Sequence, residues 1–304
     1  MKKLLSLAMV LATGALFAQN VNTSYQNGYG NDVDVMQIGA DNNSNVNQDG
    51  KIYGAGNGGD LNSATVRQSG DLNMSDISQQ GDRNTGFVTQ SGFYNDATQD
   101  VGVGWAEDNY ADSYQSGSFN TSMQKQRFDN NLAITTQFGL GNNAKQDQRS
   151  GADAVDGSTA YIYQDGWFND ARQKQRGSNN YADAVQIGLD NKSRENQTSM
   201  AGAGAFNTNY STVWQQGTNN KSKVTQDALY GYNVSGVVQY GDDHKSTVTQ
   251  DNLFGNNMSS VYQDNLLGVG GNTATVDQSA IFSGNTSSVV QFGANTATIV
   301  QYGY

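Results

Sequence analysis

The chain has 304 residues, of which 36% are hydrophobic and 15% charged, and it carries a formal net charge of −11. So few apolar side chains exclude a conventional greasy core, so few charges exclude a charge-expanded disordered chain, and the acidic balance argues against nonspecific nucleic-acid binding by the whole molecule. Cysteine and proline are absent and His244 is the single histidine, which removes disulfides, thiolate and histidine-cluster metal sites and a cysteine nucleophile.

Residues 1–18 read as a secretory signal. Lys2 and Lys3 form the charged start, Leu4 to Phe17 the apolar run, and Ala18 before Gln19 a cleavage point. The run is too short for a membrane span, and no later segment is apolar enough for one. Loss of the two lysines takes the formal charge from −11 to −13. Residues 19–304 read as a single repeat domain. At average usage about fifteen prolines would be expected. Proline is barred from central strands, so its absence points to a chain of strands and tight turns.

Self-similarity organises that domain. Residues 62–73 read N-S-A-T-V-R-Q-S-G-D-L-N, 73–84 read N-M-S-D-I-S-Q-Q-G-D-R-N and 209–220 read N-Y-S-T-V-W-Q-Q-G-T-N-N. The shared unit is Asn, then Ala or Ser, then Val or Ile, then Gln, at spacing two. Spacing two is the strand period, so these side chains share one face. Gly and the next Asn follow as turn residues. The predicted interior ladder therefore holds Asn62, Val66, Gln68, Asn73, Ile77 and Gln79. It continues through Gln115, Asn120, Gln126, Gln137, Gln164, Gln175, Gln186, Gln215, Gln226, Gln250 and Gln301.

Twenty-three such glutamines, Gln99 among them, tile the chain from Gln26 to Gln301, and twelve of the 22 gaps are 11 residues. Almost all longer gaps follow odd-numbered units, as at Asp49–Asp60 and Ser199–Thr208. That parity predicts two strands per rung, with one tight edge and one edge carrying variable loops. The fold class is all-β: a β-solenoid or cross-β stack of about 11–12 rungs, about 4.8 Å apart, with Asn/Gln ladders inside. Stacked amides satisfy one another where they would otherwise be costly to bury.

The two outer faces differ. Odd strands 9 to 19 place Lys125, Lys145, Arg172, Lys174, Lys192, Arg194, Lys221, Lys223 and Lys245 outward, with Arg127, Arg149 and Arg176 beside them. This basic face suits acidic polysaccharide or extracellular DNA, or serves as a solvated face that slows aggregation. Even strands place Tyr114, Tyr161, Tyr163, Tyr210, Trp214 and Tyr262 outward, either as an interaction surface or as ordinary cross-strand stacking.

The pattern Gln-x4-Asn-x5-Gln appears as Gln68/Asn73/Gln79, Gln115/Asn120/Gln126 and Gln186/Asn191/Gln197. It resembles the curlin repeat of bacterial curli fibre subunits. The resemblance implies a secreted subunit that polymerises with itself into an extracellular amyloid fibre at the cell surface. It also implies export through an outer-membrane secretion apparatus, a related nucleator subunit as a second partner, and roles in biofilm matrix and cell adhesion. The chain departs from the pattern in its large number of repeats, its insertions and the lack of a long Gly-rich leader.

A monomeric adhesive or ligand-binding solenoid is the alternative. Its ice-binding form would use the outward Thr273, Thr275, Thr296 and Thr298. A monomer predicts capping segments, whereas the ladder runs almost to Tyr304. An enzyme would need clustered carboxylates interrupting the ladder, and there is no Gly-x-Ser-x-Gly elbow. Gly56-Asn57-Gly58-Gly59-Asp60 lacks the repeated nonapeptide of a calcium solenoid, and Asp242 and Asp243 beside His244 read as turn residues. No cofactor or metal is expected.

Overall fold

The computed structural model describes residues 19–49, 59–102, 106–151, 156–199, 208–265 and 270–304. The signal reading, most of the two long insertions and Gly56–Gly58 of the glycine turn lie outside the described residues. No described helix is long and apolar enough to cross a membrane.

Among the described residues, twenty-three strands form two parallel sheets. The 12-stranded sheet runs, in order, β1 (Val21–Asn27), β3 (Asn43–Asp49), β5 (Met74–Gln79), β7 (Asp96–Val101), β9 (Thr121–Arg127), β11 (Asn143–Arg149), β13 (Asp170–Arg176), β15 (Lys192–Ser199), β17 (Lys221–Ala228), β19 (Lys245–Asn252), β21 (Thr273–Ala280) and β23 (Thr296–Gly303). The 11-stranded sheet runs β2 (Asp32–Ile38), β4 (Ser63–Asp71), β6 (Thr85–Phe93), β8 (Tyr110–Ser118), β10 (Leu132–Leu140), β12 (Thr159–Trp167), β14 (Asn180–Leu189), β16 (Thr208–Thr218), β18 (Tyr232–Asp242), β20 (Asn256–Asp264) and β22 (Asn285–Phe292).

Consecutive strands thus lie in opposite sheets, and each pairs with the strand two along. Parallel neighbours need a crossover, and here the strand of the opposite sheet supplies it. Two strands make one rung of a β-solenoid. Registers align like with like: Gln137 lies over Gln164 and Ala133 over Ala160.

Alternate side chains of every internal strand point into the narrow space between the sheets, as in β4, where Ala64, Val66 and Gln68 are buried and Arg67 is exposed. Small apolar residues fill that space in separate clusters. Val46, Val66, Ile77 and Val88 pack near one end, and Val213, Val224, Val237, Val248 and Val261 near the other. Ile162 with Ala144, Ala171 and Ala184 marks the middle. No rung closes a core alone, so stability is shared between neighbours.

The turn chemistry follows from the repeat. A run of glycines, from Gly39 through Gly70, Gly92, Gly117, Gly139, Gly166, Gly188 and Gly217 to Gly241, holds positive φ at the even-strand ends. The following Asn closes the corner: Asn142 Nδ2 donates to Gly166 O at 2.9 Å.

Candidate functional site

Four buried polar features and three outer surfaces are the candidates. The even-sheet glutamine ladder is unbroken. Gln68 Nε2 donates to Gln90 Oε1, Gln90 to Gln115, Gln115 to Gln137, Gln137 to Gln164, Gln164 to Gln186 and Gln186 to Gln215, each at 2.8–2.9 Å. Each amide spends its other hydrogen on a backbone carbonyl, such as Thr121 O for Gln137. The odd-sheet ladder includes Gln126, Gln148, Gln175, Gln197, Gln226, Gln250, Gln278 and the half-buried terminal Gln301.

Asparagine ladders line both edges. Asn73, Asn95 and Asn120 each donate a backbone N–H to the Oδ1 of the Asn one rung earlier, and Asn62 and Asn84 do so on the other edge. His244 stands in for an Asn. Its backbone N–H donates to Asn220 Oδ1, its Nδ1 accepts from Asn272 N at 3.0 Å, and Nε2 faces Tyr240 O at 2.7 Å, which sets the Nε2–H tautomer.

One predicted ladder member is displaced. Gln99 pairs with Ile77 and Gln124, while Val101 takes the place between Gln79 and Gln126. The apparent gap of 9 residues is therefore a swap of two inward positions in β7, and Gln90 to Val101 keeps the common spacing. Valine cannot donate, so Gln126 Oε1 is buried without a partner. Val101→Gln is expected to reconnect Gln79 with Gln126 and to stabilise the fold by about 1 kcal/mol in chemical denaturation. A loss of stability would mean that the site cannot hold the longer side chain.

Gln99 starts a second interior ladder that the repeat reading missed. Gln99, Gln124, Gln146 and Gln173 each donate to the next, and Gln173 Nε2 donates to Glu195 Oε1 at 3.0 Å. The signal was present as Gln-x-Gln in Gln124-Lys125-Gln126, Gln146-Asp147-Gln148 and Gln173-Lys174-Gln175, then Glu195-Asn196-Gln197. Glu195 is fully buried. Burial, outweighing the hydrogen bonds from Ser211 and Gln173 and helped by the nearby Asp183 charge, pushes its carboxyl up to about 8.

The basic residues lie together on the outer face of the odd sheet. Lys145, Arg172, Arg194 and Lys223 share one column over four rungs, and Lys192, Lys221 and Lys245 share another. Arg127, Arg149 and Arg176 form a third. Lys125 and Lys174 flank Asp147 in the column between. Ion pairs on this face are Lys125–Asp100, Arg172–Asp170 and Lys192–Asp190.

The aromatic residues lie on the even sheet. Tyr114, Tyr163, Trp214 and Tyr262 occupy one column, alternating with Thr136, Val185 and Val238. Tyr161 contacts Tyr181, whose ring stacks on Tyr210 at 4.6 Å. Neighbouring Asp112 and Asp183 have carboxyls raised by burial.

The third surface is the pair of ends. Among the described residues β1, β2, β22 and β23 each have a neighbour on one side only. Gln26 and Gln37 donate inward to Gln48 and Gln68, and no described side chain donates to their own Oε1. Gln291 and Gln301 accept from the stack and direct Nε2 to Thr273 O and Thr286 O, leaving an amide hydrogen for a further acceptor.

Residues 58–81, which contain β4 and β5, match the family model of the curlin associated repeat. No curated protein matches the chain. The matched repeat and the solenoid fold are compatible with a structural fibre subunit.

Proposed function

We propose that the chain is the structural subunit, or the nucleator, of an extracellular amyloid-type fibre, secreted through the outer membrane and joined end to end through its open rungs. The opposite hydrogen-bond polarity of the two ends carries this reading. One end offers the Gln26 and Gln37 acceptors, and the other the Gln291 and Gln301 donors. A second copy placed with Gln26 on Gln301 continues the ladder of the 12-stranded sheet and sets Ser24 over Ile299, while the 11-stranded sheet, one strand shorter, is left with a one-strand gap between Gln291 and Gln37 of the next copy. Such a head-to-tail contact does not close on itself, so it propagates as a filament. Roles in biofilm matrix and adhesion follow from the repeat it carries, and the reading assigns no catalysis.

Protein beginning at Gln19 is expected to form thioflavin-positive fibres with a 4.7–4.8 Å meridional reflection. Ile299→Lys puts a charge where the monomer leaves the side chain half exposed but the fibre buries it. Elongation should slow by about tenfold or more, with the circular dichroism of the monomer unchanged. Wild-type protein that stays a monodisperse monomer at high concentration would refute the reading, as would a variant that elongates normally.

A further inference from the structure

The outer face of β9–β19 concentrates cations in an acidic chain. Its outward positions carry twelve Lys or Arg against Asp147, Asp170, Asp227 and Asp251, while the chain as a whole is at −11. The cations are also stacked: Lys145, Arg172, Arg194 and Lys223 lie directly over one another, about 4.8 Å apart. Like charges in register on neighbouring strands destabilise a sheet. The same column holds Met123 and Thr247 on either side, so the fold tolerates uncharged residues there. Solubility alone needs neither stacking nor the minority sign.

We propose that this face binds a linear, carboxylated polysaccharide lying along the solenoid axis. The cation columns run from rung to rung and repeat once per rung, a spacing of the order of one sugar in an extended chain. Two features favour a polyuronate over nucleic acid. First, β9, β11, β13, β15, β17 and β19 contain no aromatic residue, whereas single-strand binders pair a basic groove with stacking rings. Second, acceptors sit among the cations. Asp147 lines two grooves on this face, one of about 190 Å³ with Arg149 and Arg176 and one of about 320 Å³ with Arg172 and Arg194. The hydroxyls of each uronate donate to such a carboxylate, while the sugar–phosphate backbone of DNA has no hydroxyl donor to offer it.

The face is lateral and stays exposed in monomer and fibre alike, so this inference stands or falls apart from the fibre reading. The test measures binding of polygalacturonate to the protein beginning at Gln19, with dextran, duplex DNA and single-stranded DNA as parallel probes. Polygalacturonate should bind far more tightly than dextran and more tightly than either DNA of matched charge. The K145T/R172T/R194T/K223T protein should lose at least tenfold in affinity at physiological salt, and its logarithmic salt dependence should flatten by roughly two to three units. The K145R/K223R protein should retain wild-type binding. Unchanged affinity in the quadruple variant overturns the proposal, as does binding no tighter than dextran. Tighter DNA binding also overturns it, making the face a nucleic-acid surface.

Discussion

Gly166→Ala is expected to destabilise the protein by roughly 3–4 kcal/mol, close to the largest effect a single methyl group can have. Gly166 has φ +123°, and a Cβ there would lie 2.1 Å from Gly188 O. Gly188 is held in place, because its carbonyl accepts from Asn169 Nδ2 at 3.0 Å and its residue is paired with Gly217 in the next strand. Moving Gly166 would also strain the bond from Asn142 Nδ2 to its carbonyl. Gly236, inside β18, is the control. Its nearest neighbour is Thr212 Oγ1 at 3.7 Å, so Gly236→Ala should add roughly 0.5–1 kcal/mol by reducing the entropy of the unfolded chain. Thermal melts followed by circular dichroism separate the two, and hydrogen exchange should place the Gly166 damage in β10–β14. Equal melting temperatures for the two variants would show that the turn column is looser than its geometry.

Stability of the wild-type protein should fall with rising pH, and Glu195→Gln should remove most of that fall. In the second ladder Gln99, Gln124, Gln146 and Gln173 each donate one amide hydrogen to the next side chain and the other to the carbonyl twelve residues back, such as Tyr161 O for Gln173. At the next rung Val224 follows Glu195 and cannot accept. An amide at 195 can instead give that hydrogen to the Ser211 hydroxyl, which hydrogen-bonds the Glu195 side chain. A glutamine therefore fits the site and has no proton to lose.

The folded state holds this proton up to about 8, whereas the unfolded chain releases it near 4.5. Stability from this site is thus complete below the unfolded value, falls as pH rises through that window, and levels off above the folded value. At about 1.4 kcal/mol per unit, the loss is on the order of 3–5 kcal/mol. The Gln variant should fall much less across the same range, the remainder coming from the raised carboxyls of Asp112 and Asp183; it should lie within about 1 kcal/mol of wild type at low pH and exceed it at high pH. The two denaturation curves should separate as pH rises. Parallel curves would mean that Glu195 is ionised when folded.

Much of this architecture is written in single residues. Asn62, Val66 and Gln68 at spacing two announce a strand face, and the uneven gaps after odd units announce two strands per rung, because insertions tolerate only one edge of a stack. The alternation of Lys and Gln in β13 likewise separates an outer from an inner face. Such features are local, since period and turn residues depend on backbone stereochemistry alone.

Other features depend on what lies one rung away, in residues distant along the chain. Gln99 carries the ladder side chain but falls 9 residues after Gln90, whereas Val101 keeps the spacing of 11, and the register of Gln99 against Ile77 and Gln124 places Val101 in the ladder position. Gln124, Gln146 and Gln173 are visible as inward residues, but that they form one continuous chain ending at Glu195 follows from alignment between strands 22–27 residues apart. Whether a lysine is one solvated charge or part of a column, and whether a carboxyl is exposed or sealed, are likewise set by neighbours. Strand period, rung parity and most of the ladder glutamines are local properties and were legible residue by residue. Register is not, because it depends on contacts between rungs, and with it came the second ladder, the cation columns, the sealed carboxyl of Glu195 and the complementary polarity of the two ends.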